Sequence, residues 1–183
     1  TPAPIRKQMS ELARILNILD YKLRTGDAAG ADKAFRDGLR EATGEEDWTL
    51  KALNIADIYE ASDATDLTRS IAKEIHPLGQ KLDKKRGLDL HARNTNQIFG
   101  SNLDNPADFV IAWTPGGKLK GGTAQAIRMA EAKGIPVINL ANKNWRYHLQ
   151  EVLMKDFTVK YEKLKLKWLE VNGEPMKNLK ILY

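Results

Sequence analysis

Cysteine is absent from the 183 residues, and histidine occurs only three times. Without cysteine there is no disulfide framework and no thiolate metal site, and the expected setting is a reducing, cytoplasmic one. His76, His91 and His148 have no metal-ligand spacing, and no His-x-x-x-His pair or carboxylate cluster suggests zinc or iron, so neither metal nor cofactor is expected. Long hydrophobic runs are missing as well. The most apolar stretches, DFVIAW and IPVINLA, are far shorter than a membrane span, and the first residues lack the basic-then-apolar layout of a signal peptide. No serine stands in a nucleophile-elbow pattern. Charge of one sign is only mildly in excess: 29 Lys and Arg against 24 Asp and Glu give a net charge of +5. The isoelectric point near 9.3 favours a polyanionic partner weakly.

What is present is an alternation of helix and strand patterns. Ile5, Met9, Leu12, Leu16 and Leu19 recur at steps of four and three, which predicts a helix over residues 3–20. YKLRT (21–25) reads as a short strand ending at Gly26, and a helix with a small-residue face (Ala31, Phe35, Gly38, Ala42) starts from Gly30. LKALNIADIYEA (50–61) is read as a strand. Leu67, Ile71, Ile75, Leu78 and Leu82 predict a helix capped near Asp66 and ending in DKKRG, and a short helix covers DLHARNTNQIFG, closed by Gly100. ADFVIAWT (107–114) and IPVINLA (135–141) are apolar, β-branched runs of the kind found in strands covered on both faces, with a helix over AQAIRMAEAK between them and another from Asn144 to about Met154. The pattern predicts an α/β, Rossmann-like three-layer fold with a mainly parallel sheet over residues 1–155. In the remainder, 156–183, Val159, Tyr161, Leu164, Leu166 and Trp168 come close to period two and NGEP is a turn signal, so a C-terminal hairpin or arm is expected. With six lysines against four acids the extension reads as an edge hairpin or a contact between copies ahead of a nucleic-acid arm.

Two segments share one design: a strand, a glycine-rich turn, then a helix. They are RTGDAAGAD (24–32) and TPGGKLKGGTAQA (114–126). A helix N-terminus offers unpaired N–H groups and partial positive charge, and glycine lets a phosphate approach without a Cβ in the way. In an open parallel sheet both turns lie beyond the carboxyl ends of the strands and face one shared pocket. Thr25 and Thr123 offer hydroxyls there, and Lys118 or Lys120 offers charge. Asp32 either complements the helix dipole or accepts hydrogen bonds from a ribose. Arg93 and Asn94, in HARNTNQ, are candidates for a phosphate or base contact. Neither turn matches the Gly-Lys-Ser/Thr phosphate loop or the G-x-G-x-x-G fingerprint, which argues against a nucleoside triphosphatase.

LRTGDAAGADKAF, LHARNTNQIFG, PADFVIAWTPGGKLKGGTAQAIRMA and GIPVINLA, in that order over about residues 5–141, resemble the SLOG superfamily of Rossmann-like proteins, most closely its small DprA-like bacteriophage members. The resemblance implies that Gly26, Gly30, Ala31 and Asp32 belong to a first phosphate-binding loop. It puts Thr114, Pro115, Gly116, Gly117, Gly121, Gly122 and Thr123, with Gln125 beside them, around a second, and matches Arg93 and Asn94 to an Arg-Asn pair of the phage relatives. Related nucleotide hydrolases carry a catalytic glutamate three residues after the threonine of Pro-Gly-Gly-x-Gly-Thr. Here that residue is Ala126, so a catalytic role is not expected. Relatives also begin with a strand ending in Gly-Ser-Arg that does not precede TPAPIRKQM here, so either the sequence starts after it or another segment completes the sheet. The resemblance implies non-catalytic binding of a nucleotide, a nucleotide-derived small molecule or single-stranded DNA, in a bacterial host's cytoplasm if phage-encoded. The alternatives are a nucleoside 5'-monophosphate phosphoribohydrolase and a structural or interaction subunit of a phage particle or anti-defence system.

Overall fold

The computed structural model describes residues 1–173 and divides them into two units, the first Thr1–Lys143 and the second from Asn144 onward. The first unit is α/β and mainly helical. Its elements are α1 (Ala3–Ile18), β1 (Leu23–Gly26), α2 (Ala31–Thr43), α3 (Asp47–Ala52), β2 (Ala56–Tyr59), α4 (Asp66–Ile75), α5 (Leu88–Phe99), β3 (Val110–Ala112), α6 (Gly122–Ala132) and β4 (Val137–Asn139). The strands are short and pair in parallel, Leu23 opposite Ala56 through Gly26 opposite Tyr59, and Val110 opposite Val137 through Ala112 opposite Asn139.

Three helices hand over to strands by the same device. After α1, α3 and α6 the chain takes one left-handed residue: Asp20 (φ 61°), Asn54 (φ 58°) and Gly134 (φ 69°). The next amide then reaches back to the helix: Tyr21 to the Leu16 carbonyl at 2.9 Å, Ile55 to Leu50 at 2.9 Å, and Ile135 to Ala130 at 2.9 Å. These closures satisfy the last helical carbonyls and aim the chain into β1, β2 and β4. Asn54 also explains a difference from the sequence reading. The first half of LKALNIADIYEA is the end of α3, with Leu50 buried, and only Ala56–Tyr59 is strand.

Two further corrections have local causes. Helix α4 stops at Ile75 instead of running to Leu82, because His76 precedes Pro77 and takes an extended ψ of 139° that a pre-proline residue prefers. Its cap is Thr65, whose hydroxyl accepts the Thr68 amide at 3.2 Å, with Asp66 in the first turn. The core strand is also shorter than ADFVIAWT, since the Ala107 amide is bonded to the Ile98 carbonyl at 2.8 Å and pairing begins at Val110.

Buried side chains gather where helices meet strands. Leu39, Leu50, Ala56 and Ile58 form one cluster beside β1 and β2, and Ile98, Met129, Ala130 and Ile135 form another beneath β3 and β4. Helix α5 packs on β1, β2 and α6, so its sequence crosses from one strand pair to the other. Among the described residues no helix is long and apolar enough to cross a membrane.

The second unit is one helix, α7 (Trp145–Asn172), so the hairpin expected from residue 156 is replaced over 156–172 by helix, and the NGEP turn lies largely outside the described residues. Spacings of three and four outweigh the apparent period of two: Asp156 pairs with Lys160 at 3.0 Å, Glu162 with Lys165 at 2.6 Å, and Phe157 stacks on Tyr161 at 6.2 Å between ring centres.

Helix α2 lies so close to α1 that a Cβ on Gly38 would stand 2.1 Å from the Ser10 carbonyl oxygen. Gly38→Ala is therefore expected to lower unfolding stability by about 1–3 kcal/mol in chemical denaturation, although alanine is the better helix former. An unchanged or raised midpoint would contradict this packing.

Candidate functional site

The first glycine turn connects β1 to α2. Thr25 and Gly26 are buried at the strand end, and Gly30 is the N-cap of α2 with φ 92° and ψ −114°, a conformation that favours glycine. Ala31 and Asp32 are the first two helical residues, and no side chain caps the helix. Arg36, one turn further on, braces the loop by donating to the Gly26 carbonyl at 2.5 Å while pairing with Asp47 at 3.0 Å.

The second turn connects β3 to α6. Gly116, Gly117 and Gly121 have φ of 60°, 73° and 78°, and Gly122 and Thr123 open the helix, exposed and without a side-chain cap. Pro115 starts a single tight turn over Pro115–Gly117, and Lys118 and Lys120 stand exposed on the loop after it. Arg128 ties that loop to α6 by donating to the Leu119 carbonyl at 3.2 Å.

Helix α5 links the two. Arg93 is the one charged side chain among the buried polar residues described, 7% exposed, and its Nη1 lies 2.6 Å from Asp27 Oδ1. Its Nη2 is 3.4 Å from Asp32 Oδ2, and its Nε is buried with no hydrogen-bond partner. The next residue serves the other turn: Asn94 Nδ2 donates to the Gly122 carbonyl at 3.3 Å. Gly26 is the steric condition for this arrangement, since a Cβ there would stand 2.4 Å from Asp32 Oδ2 and 2.6 Å from Arg93 Cζ.

Two of the expected site residues turn inward. Thr114 is buried and its hydroxyl accepts from Asn139 Nδ2 at 2.7 Å, while Asn139 Oδ1 takes the Thr114 amide at 3.3 Å. Gln125 is fully buried and donates to the Ala72 carbonyl at 3.0 Å, holding α6 to α4. Position 126 faces the interior too, packed on the cluster around Ile98 and Met129, and Glu131 is exposed further along the helix. The large groove of about 680 Å³ in this unit lies along α1 and α2; it reaches the first turn through Ala29 and Gly30 and touches no residue of the second.

Both turns enter their helix through a glycine N-cap of positive φ, Gly30 and Gly121, and they differ in charge. Around the first, one guanidinium faces two carboxylates. Around the second, α6 has no acid in its first turn and the loop carries two lysines. Sequence reasoning missed three contributors. Asp27 reads as an ordinary turn residue, Asn139 as part of an apolar strand, and His91 as lacking a metal partner. A Cβ on Gly122 would stand 3.9 Å from His91 Cε1, so this imidazole borders the second turn. The only sequence signal was that His91 sits two residues before Arg93.

His91 also meets His76, with ring centres 4.6 Å apart. Burial, then the neighbouring His76 and Arg93, hold His91 below its ordinary value of 6.5, with Gln125 acting in the opposite sense. Burial, then Arg128, lowers His76. His76 Nδ1 accepts the Leu78 amide at 3.1 Å, a bond that requires that nitrogen to be unprotonated. In the unfolded chain both imidazoles take up protons near 6.5, before the folded protein does. The stability tied to them is therefore present above that pH and lost as pH falls below it. Denaturation midpoints are expected to drop between about pH 7.5 and about pH 5.5, and His91→Gln should flatten that drop. An equal slope in both proteins would contradict the assignment.

No protein-family model, curated protein or solved structure matches the chain.

Proposed function

We propose that the first unit is a Rossmann-like, three-layer domain that binds a phosphate-bearing nucleotide, free or within single-stranded DNA, between its two glycine turns, without catalysing a reaction. The observation that carries this reading is the Arg93–Asn94 pair: Arg93 sets a buried guanidinium beside the uncapped N-terminus of α2, and Asn94 binds the Gly122 carbonyl at the uncapped N-terminus of α6. A buried arginine keeps its charge and its planar fork, and phosphate is the anion that such a fork and two helix ends recognise together.

The described strands form two separate two-stranded sheets, and a single sheet would join them in the order β2-β1-β3-β4. Contacts beside β1 and β3 support it: Tyr21 and Phe109, just before each, meet edge to face at 5.3 Å, and Arg24 of β1 donates at 2.5 Å to the carbonyl of Asn105, in the loop before β3. The phosphate takes the position on Arg93 at the start of α2, and the lysine-bearing loop before Gly122 and Thr123 adds positive charge from the second turn.

Isothermal titration with AMP, ADP-ribose, a cyclic nucleotide and a short single strand tests the proposal. At least one should bind, and Gly26→Ala and Arg93→Gln should each weaken it by about tenfold to a hundredfold, the loss expected for a charge-assisted contact. No binding by any of them would sink the reading.

A further inference from the structure

We infer that Asp27 is an exchangeable internal counter-ion that occupies the phosphate position on Arg93 and leaves it when the ligand arrives. The inference rests on the proposed phosphate site and adds to it the residue that sets its affinity.

The two carboxylates on Arg93 are held differently. Asp32 is in the first turn of α2, its side chain 20% exposed, and Thr25 Oγ1 donates to it at 3.3 Å. It is part of the frame. Asp27 is on the loop, its side chain 48% exposed, and its contact to Arg93 at 2.6 Å is the shorter of the two. Arg36 grips the loop through carbonyls, with Nη1 2.5 Å from Gly26 O and Nη2 3.5 Å from Asp27 O. The backbone is thereby fixed while the Asp27 carboxylate turns about its own side-chain bonds alone.

Charge explains why exchange is required. With both acids in place the cluster of Arg93, Asp27 and Asp32 counts one positive and two negative groups, so an incoming phosphate meets net repulsion. With Asp27 turned outward, Arg93 is balanced by Asp32 and the uncapped N-terminus of α2 attracts the anion. The Nη1 and Nη2 groups of Arg93 make single contacts to two different acids, at 2.6 and 3.4 Å, so neither carboxylate holds the fork bidentately. Phosphate, with more acceptor oxygens than a carboxylate, is the better occupant.

The test measures binding of inorganic phosphate, AMP and a short oligothymidylate to wild type, Asp27→Asn, Asp27→Ala and the double variant Asp27→Asn/Arg93→Gln. Circular dichroism confirms the fold of each. Both single variants should bind phosphate and AMP about tenfold more tightly, the scale of removing one like charge a few ångströms away. The double variant should lose that gain. A gain for phosphate and AMP alone assigns a free phosphate monoester, and one shared by the oligothymidylate assigns a nucleic-acid backbone. If wild type binds AMP and the single variants bind it no better, the counter-ion role is wrong and the nucleotide site stands. If the double variant keeps the gain, the effect is general charge relief and the role is wrong. If none of the proteins binds any probe, both the role and the site fall.

Discussion

A guanidinium removed from water must find charge and hydrogen-bond partners, and the first unit is arranged around that requirement. Arg93 projects from α5 into the end of β1, where Asp27 and Asp32 meet it. Gly26 has no side chain because the space a Cβ would fill is taken by that cluster. The loop that supplies Asp27 is held by Arg36, which is itself paired with Asp47 at the start of α3. A single buried cation thus links the strand end, the first turn and two helices. Burial of an unpaired charge is costly, so the partners must form together with the fold.

The same helix extends this order to the second turn. Asn94 binds the Gly122 carbonyl and His91 borders it, so three positions within one turn of α5 address both glycine loops. Beneath the second loop, Asn139 at the end of β4 holds Thr114 by its backbone and its side chain. These inward contacts let the residues above them, Gly121 to Thr123, stay exposed with their amide groups uncapped. Rigid support below and unsatisfied backbone above is what an anion site at a helix end needs.

Much of this framework was legible in the sequence. The steps of three and four from Ile5 to Leu19 mark α1, and the glycine turns mark both strand-to-helix junctions. What stayed hidden depended on contacts distant in the chain. Nothing local distinguishes Asp27 from any acid in a turn; its role comes from Arg93, sixty-six residues on. Gln125 reads as a site residue beside Thr123 until the helix rotation directs it to the Ala72 carbonyl. The C-terminal stretch misled because its apolar residues fit a period of two over a few positions, while its ion pairs repeat at three and four. At 50–61 the apolar run spans a helix end and a strand, and they are divided by Asn54, a residue type that tolerates the left-handed conformation it takes here but does not demand it.

The central claim is that the two glycine turns form one site because Arg93 and Asn94 connect them. Backbone amide NMR during titration with AMP tests it most directly, following Gly26 to Asp32 in one turn and Gly121 to Thr123 in the other. The account predicts that both sets of resonances shift together and saturate at the same AMP concentration. Shifts confined to one turn, or two turns saturating at different concentrations, would contradict it.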